Sequence, residues 1–318
     1  MISISSHRRV TIGGVIFLAG VLPFILQSNY HLGIAHQVLI FIVLSSGYNI
    51  LLGLTGLVSF GHIALFAVGA YTSAFLVKTI GLSFMAGLAG AGCMAGLVGL
   101  LTSILALRIK GHYLTLLTLA LGEVIRLMIR SMESVTHGSE GFSSIPRPDV
   151  FGFVFRSGFS LYYLLLVFAV LTVIFVWRLK ESRYGRAFMA IRDAEIGAEV
   201  GGVDTARMKI LAFTTSAVIA GIAGCLYAHT MRFISPEFFS LGLTITLLAM
   251  VLLGGRGTIA GPIMGAILLV VLPESLRFIK DYYLVAFGLV IWAVALLLPE
   301  GLMGLVKRLM PRLPEDRR

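Results

Sequence analysis

The chain has 318 residues, of which 58% are hydrophobic and only 13% charged, with a formal net charge of +10. A soluble globular chain carries about 25% charged residues, so an ordinary dissolved protein is excluded, and the mean hydropathy of +0.98 points to lipid as the main solvent. The positive excess forms no basic patch interleaved with aromatics on a polar face, which sets nucleic acid aside as a partner and leaves cytoplasmic loops rich in Lys and Arg as its source.

A spanning helix needs ~20 mostly apolar residues to cross a hydrocarbon layer of ~30 Å. His7-Arg8-Arg9 precedes an apolar run from Val10 to Leu26. Gln27-Ser28-Asn29 offers no small-x-small cleavage site, so this run reads as a retained first helix over 10–27 rather than a cleaved signal. Further spans are predicted over 35–52, 57–77, 81–107, 111–131, 158–177, 210–230, 238–254, 259–273 and 282–299. The expected fold is an all-α polytopic transmembrane helix bundle of about ten spans, forming one domain over 1–318. The count falls to nine or eight if 57–77, with its Gly-rich start, or the short 259–273, opening on Gly261-Pro262, is broken or re-entrant.

With a cytoplasmic N-terminus, ten spans return the C-terminus to the cytoplasm. That arrangement puts Arg8, Arg9, Arg108, Lys110, Arg256, the cluster from Arg178 to Lys209 and the basic residues from Lys307 onward inside. Lys78, Arg130, Arg147, Arg156, Arg232, Arg277 and Lys280 fall outside. The larger set is cytoplasmic, as the positive-inside rule requires.

Two stretches interrupt the apolar pattern. Residues 131–157 hold Pro146, Pro148 and several glycines, and read as an external loop. Residues 178–209 carry a dense mixture of basic and acidic groups and read as a cytoplasmic loop. No soluble catalytic domain fits between the spans, no Walker-type phosphate loop occurs, and no metal-ligand cluster or nucleophile–base pair is spaced for chemistry. Cys93 and Cys225 lie in apolar runs and read as small packing residues. The residues therefore give no sign of an enzyme, and no cofactor is expected on this chain itself.

Within the cytoplasmic loop, good helix formers run from Ala187 to Glu199, and Gly201-Gly202 supplies a stop. Arg192, Glu195 and Glu199 fall three and four apart, on one face of such a helix. Ala190, Ala194, Gly197 and Ala198 leave a second face open to close approach by a partner; a solvated loop helix is the plainer alternative.

Glu195-Ile196-Gly197-Ala198-Glu199-Val200-Gly201 resembles the Glu-Ala-Ala-x-x-x-Gly coupling loop of ATP-binding-cassette importer permeases. Ile196 and Gly197 replace the two alanines of that motif, and Gly lowers helix propensity by up to ~1 kcal/mol. Arg183-Tyr184-Gly185-Arg186, Ala190-Ile191-Arg192-Asp193, Lys209-Ile210-Leu211-Ala212-Phe213, Ile234-Ser235-Pro236-Glu237 and Gly254-Gly255-Arg256-Gly257-Thr258 are similar to the branched-chain amino-acid permeases of the LivM type. So are Gly53-x-x-Gly56-x-x-Ser59-x-Gly61-His62 and Thr136-His137-Gly138-Ser139-Glu140-Gly141, so the resemblance runs from about Ser46 to Gly304. It implies an inner-membrane permease subunit for branched-chain amino acids, paired with a homologous LivH-type permease, two ATPase subunits that use ATP and Mg, and an extracytoplasmic binding protein. It also implies that Arg192, Asp193, Glu195, Ala198, Glu199, Gly201 and Gly202 form the ATPase-coupling loop. Similar chains serve urea, short amides or other amino acids, which stay open as substrates.

Polar groups inside the spans are the candidates for the translocation path. Glu123 and Arg126, three apart, are placed to form an ion pair ~18 and ~22 Å from the inner edge of their span. A carboxylate so paired stays ionised and is a poor proton carrier, which disfavours the alternative of an ion-coupled secondary transporter. Asn49, Thr55, Ser59, His62, Thr115 and Thr118 are the other candidates. Gly92-x3-Gly96 and Gly257-x3-Gly261-x3-Gly265 put small surfaces on one helix face, as close packing in lipid requires; the functional alternative is that Gly53 to Gly61 and Gly254 to Gly261 break helices near the translocation path. The strings Leu51–Gly56 and Leu252–Gly257 also echo each other weakly.

Overall fold

The computed structural model describes residues 20–23, 28–107, 112–150, 152–276, 288–289, 292 and 301–304. The expected spans 10–27 and 282–299 lie almost wholly outside the described residues, as do Arg8, Arg9, Arg108, Lys110, Arg277, Lys280 and the basic residues from Lys307 onward.

Small polar side chains start the helices. Ser28, Ser83, Ser157, Ser182 and Asp204 each accept a backbone N–H from the first turn, satisfying donors that have no intrahelical partner. The helices that follow are α1 (Asn29–Asn49), α2 (His62–Ala74), α3 (Phe84–Ala106), α4 (His112–Ser131) and the single turn α5 (Glu133–Thr136). After a short hairpin come α6 (Gly158–Glu181), α7 (Arg183–Asp193), α8 (Glu195–Val200), α9 (Thr205–Met231), α10 (Leu241–Gly255) and α11 (Ala260–Ser275). The helix α1 widens into a π-helical turn at Ile50–Leu54, and α2 does the same at Phe75–Thr79.

Eight of the ten expected spans coincide with these helices. The 57–77 span is corrected: residues 55–61 leave the helix, and α2 begins only at His62. Among the described residues, five segments are long and apolar enough to cross a membrane, namely Asn29–Leu54, His62–Thr79, Phe84–Ala106, Gly158–Glu181 and Thr205–Met231. Helix α4 is as long but carries Glu123, Arg126 and Arg130, while α10 and α11 are shorter.

Helix α9 is the centre of the bundle and packs chiefly on α2 and α3, with α1 behind it. Glycine permits these crossings. A Cβ on Gly224 would lie 2.1 Å from the Phe66 carbonyl oxygen of α2, and one on Gly221 would lie 2.4 Å from that of Ala91 in α3. Gly96 and Gly99 of α3 leave room for the side chains of Val218 and Ala217 of α9, and Gly92 lies against Ile222. Between helices in lipid, such close packing replaces the hydrophobic drive that water would supply.

Helix α6 carries the chain through 24 residues, ~36 Å at 1.5 Å each. The loop before it and the charged segment after it therefore lie at opposite ends of the bundle. The loop holds α5 and a two-stranded antiparallel hairpin, β1 (Asp149–Val150) with β2 (Phe153–Val154). It is docked onto the end of α9: Phe142 and Ile234 exchange backbone hydrogen bonds of 3.0 and 2.9 Å, and Phe142 and Ile145 are fully buried.

The helix expected over Ala187–Glu199 is corrected. Ala194 adopts an extended conformation (φ −158°, ψ 97°) and divides it into α7 and α8. Packing decides this: Phe188 and Ile191 anchor α7 in the bundle, while Lys209 at the start of α9 holds Glu195 at 2.7 Å. Arg192 consequently shares no helix face with Glu195 and Glu199.

Candidate functional site

Both glycine-rich stretches interrupt helices, and they interrupt them at the same place. The first gap is the π turn Ile50–Leu54 followed by residues 55–61; the second is the turn between α10 and α11. Asn49, fully buried at the end of α1, donates its amide N–H to the Thr258 carbonyl (2.9 Å) and accepts from the Gly257 N–H through Oδ1 (2.9 Å). A Cβ on Gly53 would lie 2.5 Å from the Gly257 nitrogen. The two strings that echo each other in the sequence thus touch.

The stretch 55–61 then crosses to α4. The Tyr48 hydroxyl donates to the Ser59 carbonyl at 2.8 Å, and its ring lies 4.8 Å from that of His62. The Phe60 N–H donates to Thr118 Oγ1 (3.1 Å), which in turn donates to the Thr115 carbonyl (3.0 Å). Gly61 and Gly122 let the two backbones meet, and a small cavity between them is lined by Ser59, Thr102, Thr118 and Phe213. The buried Ser59 hydroxyl and both His62 ring nitrogens have no hydrogen-bond partner among the described residues. Thr55 is turned back on its own helix, donating to the Ile50 carbonyl at 2.9 Å. Of the six uncharged path candidates, Ser59, His62, Thr115 and Thr118 are thus gathered, Asn49 clamps the helix gaps beside them, and Thr55 caps the π turn.

The expected Glu123–Arg126 pair forms. Arg126 Nε donates to the two carboxylate oxygens at 3.1 and 3.0 Å, and Nη2 bonds one of them as well. It lies on the outer face of α4, with half of the Glu123 side chain exposed. Glu237, from the turn after α9, reaches Arg126 and Arg130 at 3.7 Å each. This second carboxylate was not singled out as a charge partner from sequence, because the turn that delivers it is more than a hundred residues away along the chain.

The charged segment lies at the far end. Arg192 donates to Asp193 Oδ1 at 2.9 Å and to the Gly53 carbonyl at 3.1 Å. Ala198 is buried, whereas Glu199 is exposed; Gly201 ends α8 and Gly202 takes a positive φ of 84°. The small-residue face of the expected helix is therefore not simply open, since Ala198 packs inward. Ile196 and Val200, four apart, are instead 79% and 85% exposed. These two apolar side chains were missed by sequence reasoning; their mismatch with a charged loop was the available signal.

A second buried polar group was also missed. His229 Nδ1 bonds the Pro146 carbonyl at 2.7 Å and Nε2 bonds the Ser73 hydroxyl at 2.8 Å, with Cys225 Sγ 3.0 Å from the same hydroxyl. Nδ1 must be the donor to a carbonyl, so Nε2 accepts from Ser73 and the Cys225 thiol donates. Cys225 is thus a hydrogen-bonded member of a cluster tying the loop to α2 and α9, which corrects its reading as plain packing. No group of three metal-ligating side chains occurs among the described residues.

A bundle of apolar helices, two of them interrupted at one junction, with a charged elbow at one end, has the architecture of a polytopic membrane protein. The family profile described as "Branched-chain amino acid transport system / permease component" matches residues 30–298, and the chain belongs to that family. It is 35% identical to the Escherichia coli (strain K12) High-affinity branched-chain amino acid transport system permease protein LivM, over 94% of this chain and 76% of that one. The Salmonella typhimurium protein of the same name is 33% identical over the same shares. The Autoinducer 2 import system permease protein LsrC of Yersinia pestis is 32% identical over 64% of this chain and 59% of its own. No solved structure matches.

Proposed function

We propose that this chain is the permease subunit of an ATP-driven importer of branched-chain amino acids in the inner membrane. One observation carries it: the likeness to the Escherichia coli and Salmonella typhimurium proteins named LivM extends over 94% of the chain, at 35% and 33% identity.

In this reading the chain is one permease domain with both termini cytoplasmic, ten spans, residues 178–209 inside as the coupling loop and 131–157 outside facing the binding protein. The exposed Ile196 and Val200 support the docking of α8 on an ATPase subunit, since apolar side chains that water would disfavour gain from a partner's groove. Arg192, Asp193, Glu195, Ala198, Glu199, Gly201 and Gly202 shape and hold that docking element. ATP and Mg act on the two partner ATPases, and this chain supplies path and lever.

The path runs past Ser59, His62, Thr115 and Thr118, with Asn49 and Thr55 fixing the helix gap beside them. Backbone that leaves a helix at membrane depth is tolerated where protein or a water-filled route covers it. The half-exposed Glu123–Arg126–Glu237 network supports a second, LivH-type permease against α4, because charges at membrane depth face protein or water rather than lipid.

Glu195→Lys together with Leu at Gly201 and Gly202 is expected to abolish ATP-dependent uptake by the reconstituted complex while the chain still inserts. Reporters fused after Lys209 and inserted near Ser144 should read cytoplasmic and external respectively. Retained uptake in the variant, or the opposite sidedness, would refute the assignment.

A further inference from the structure

Arg192 stands where three separate pieces of the chain meet. It is the penultimate residue of α7, and its guanidinium, on a side chain 31% exposed, reaches the edge of the bundle at the end of α1. Its Nη1 donates to the Gly53 carbonyl at 3.1 Å, inside the π turn of α1. That helix ends one residue later, so a carbonyl in its last turn lacks the N–H that a continuing helix would bring. The arginine supplies it.

The surroundings are fitted to this side chain. A Cβ on Gly257 would lie 2.9 Å from Arg192 Nη1, and one on Gly56 would lie 3.0 Å from Arg192 Cγ. Both glycines also have positive φ, 74° and 78°, where other L-residues are strained. Arginine thus occupies a notch between the two helix gaps, one wall from each. The gaps are already joined behind it by the two hydrogen bonds of Asn49 to Gly257 and Thr258. On its outer side, Nε is held by Asp193 at 2.9 Å, and two residues further on begins α8.

We propose that Arg192 is a positioning residue that transmits movement of the α7–α8 elbow to the paired helix gaps, by holding the Gly53 carbonyl and filling the Gly56–Gly257 notch. This rests on residues 183–202 being the segment the ATPase moves. A hydrogen bond loses its hold within a few tenths of an ångström beyond ~3.2 Å, so a shift of α7 by 1 Å either carries the π turn along or breaks the contact. The planar fork of a guanidinium serves two sides of the notch at once; an ammonium, a single point of charge on a stem, does not.

The test uses the full complex with its binding protein in proteoliposomes, with substrate taken up and ATP hydrolysed both measured. In Arg192→Ala the substrate moved per ATP hydrolysed should fall tenfold or more. Arg192→Lys should recover part of the ratio, to no more than about a third of the unaltered complex. A ratio within twofold of the unaltered protein in Arg192→Ala overturns the proposal. So does loss of the assembled complex in both variants alike, which assigns the residue to folding or docking. If the unaltered complex itself takes up substrate without ATP, the coupling assignment fails first, and that result is separate from either outcome for Arg192.

Discussion

Gly224→Leu is expected to prevent stable accumulation of the permease in the membrane. Of the glycines at the crossing of α9 over α2 and α3, Gly69, Gly221 and Gly224 come closest to backbone rather than to flexible side chain. A Cβ at 224 would sit 2.1 Å from the Phe66 oxygen and 2.7 Å from the Ala70 nitrogen; one on Gly69 would sit 2.3 Å from the Gly221 oxygen. Backbone atoms inside two helices cannot rotate aside, so the helices must separate. Overpacking a core costs ~1–3 kcal/mol where side chains can adjust, and here they cannot, so the cost lies at the top of that range or above it. Gly33, which has nothing within 4 Å of an added Cβ, provides the control: Gly33→Ala should leave yield and thermal unfolding in detergent unchanged. Gly224→Ala should fall between the two.

The second large effect is expected at Asn49. Asn49→Leu keeps the volume roughly but leaves the Gly257 N–H and the Thr258 carbonyl without the amide that serves both. Orphaning a buried polar group costs ~1–3 kcal/mol, so the pair predicts a loss of ~2–6 kcal/mol in stability. Asn49→Asp should not repair it, since its carboxylate can accept from Gly257 but places an oxygen against the Thr258 carbonyl. Asn49→Gln has no room to reach, because Gly53 already lies close against Oδ1. Thermal unfolding of the purified permease in detergent checks all three. A leucine variant as stable as the unaltered protein would mean the joint is not held by this residue.

What was readable in the sequence was governed by hydropathy and by local backbone chemistry. Apolar runs located eight helices because any lipid-facing segment must satisfy its own backbone. Tertiary effects were invisible. Nothing in Arg192-Asp193-Ala194-Glu195 forbids a continuous helix, since Ala is the best helix former; the break at Ala194 comes from α7 and α8 being tied to different parts of the bundle. The glycine-rich gaps were legible as gaps, but their contact through Asn49 joins residues about two hundred positions apart. Ser73 and His229, 156 positions apart, were hidden for the same reason.

The most direct measurement is uptake of radiolabelled leucine into proteoliposomes holding this chain, its permease partner, both ATPases and the binding protein. Uptake should require ATP on the side of the Arg178–Lys209 elbow and binding protein on the other, and should be indifferent to a proton or sodium gradient. Accumulation driven by an ion gradient alone, without ATPase subunits, would contradict the account.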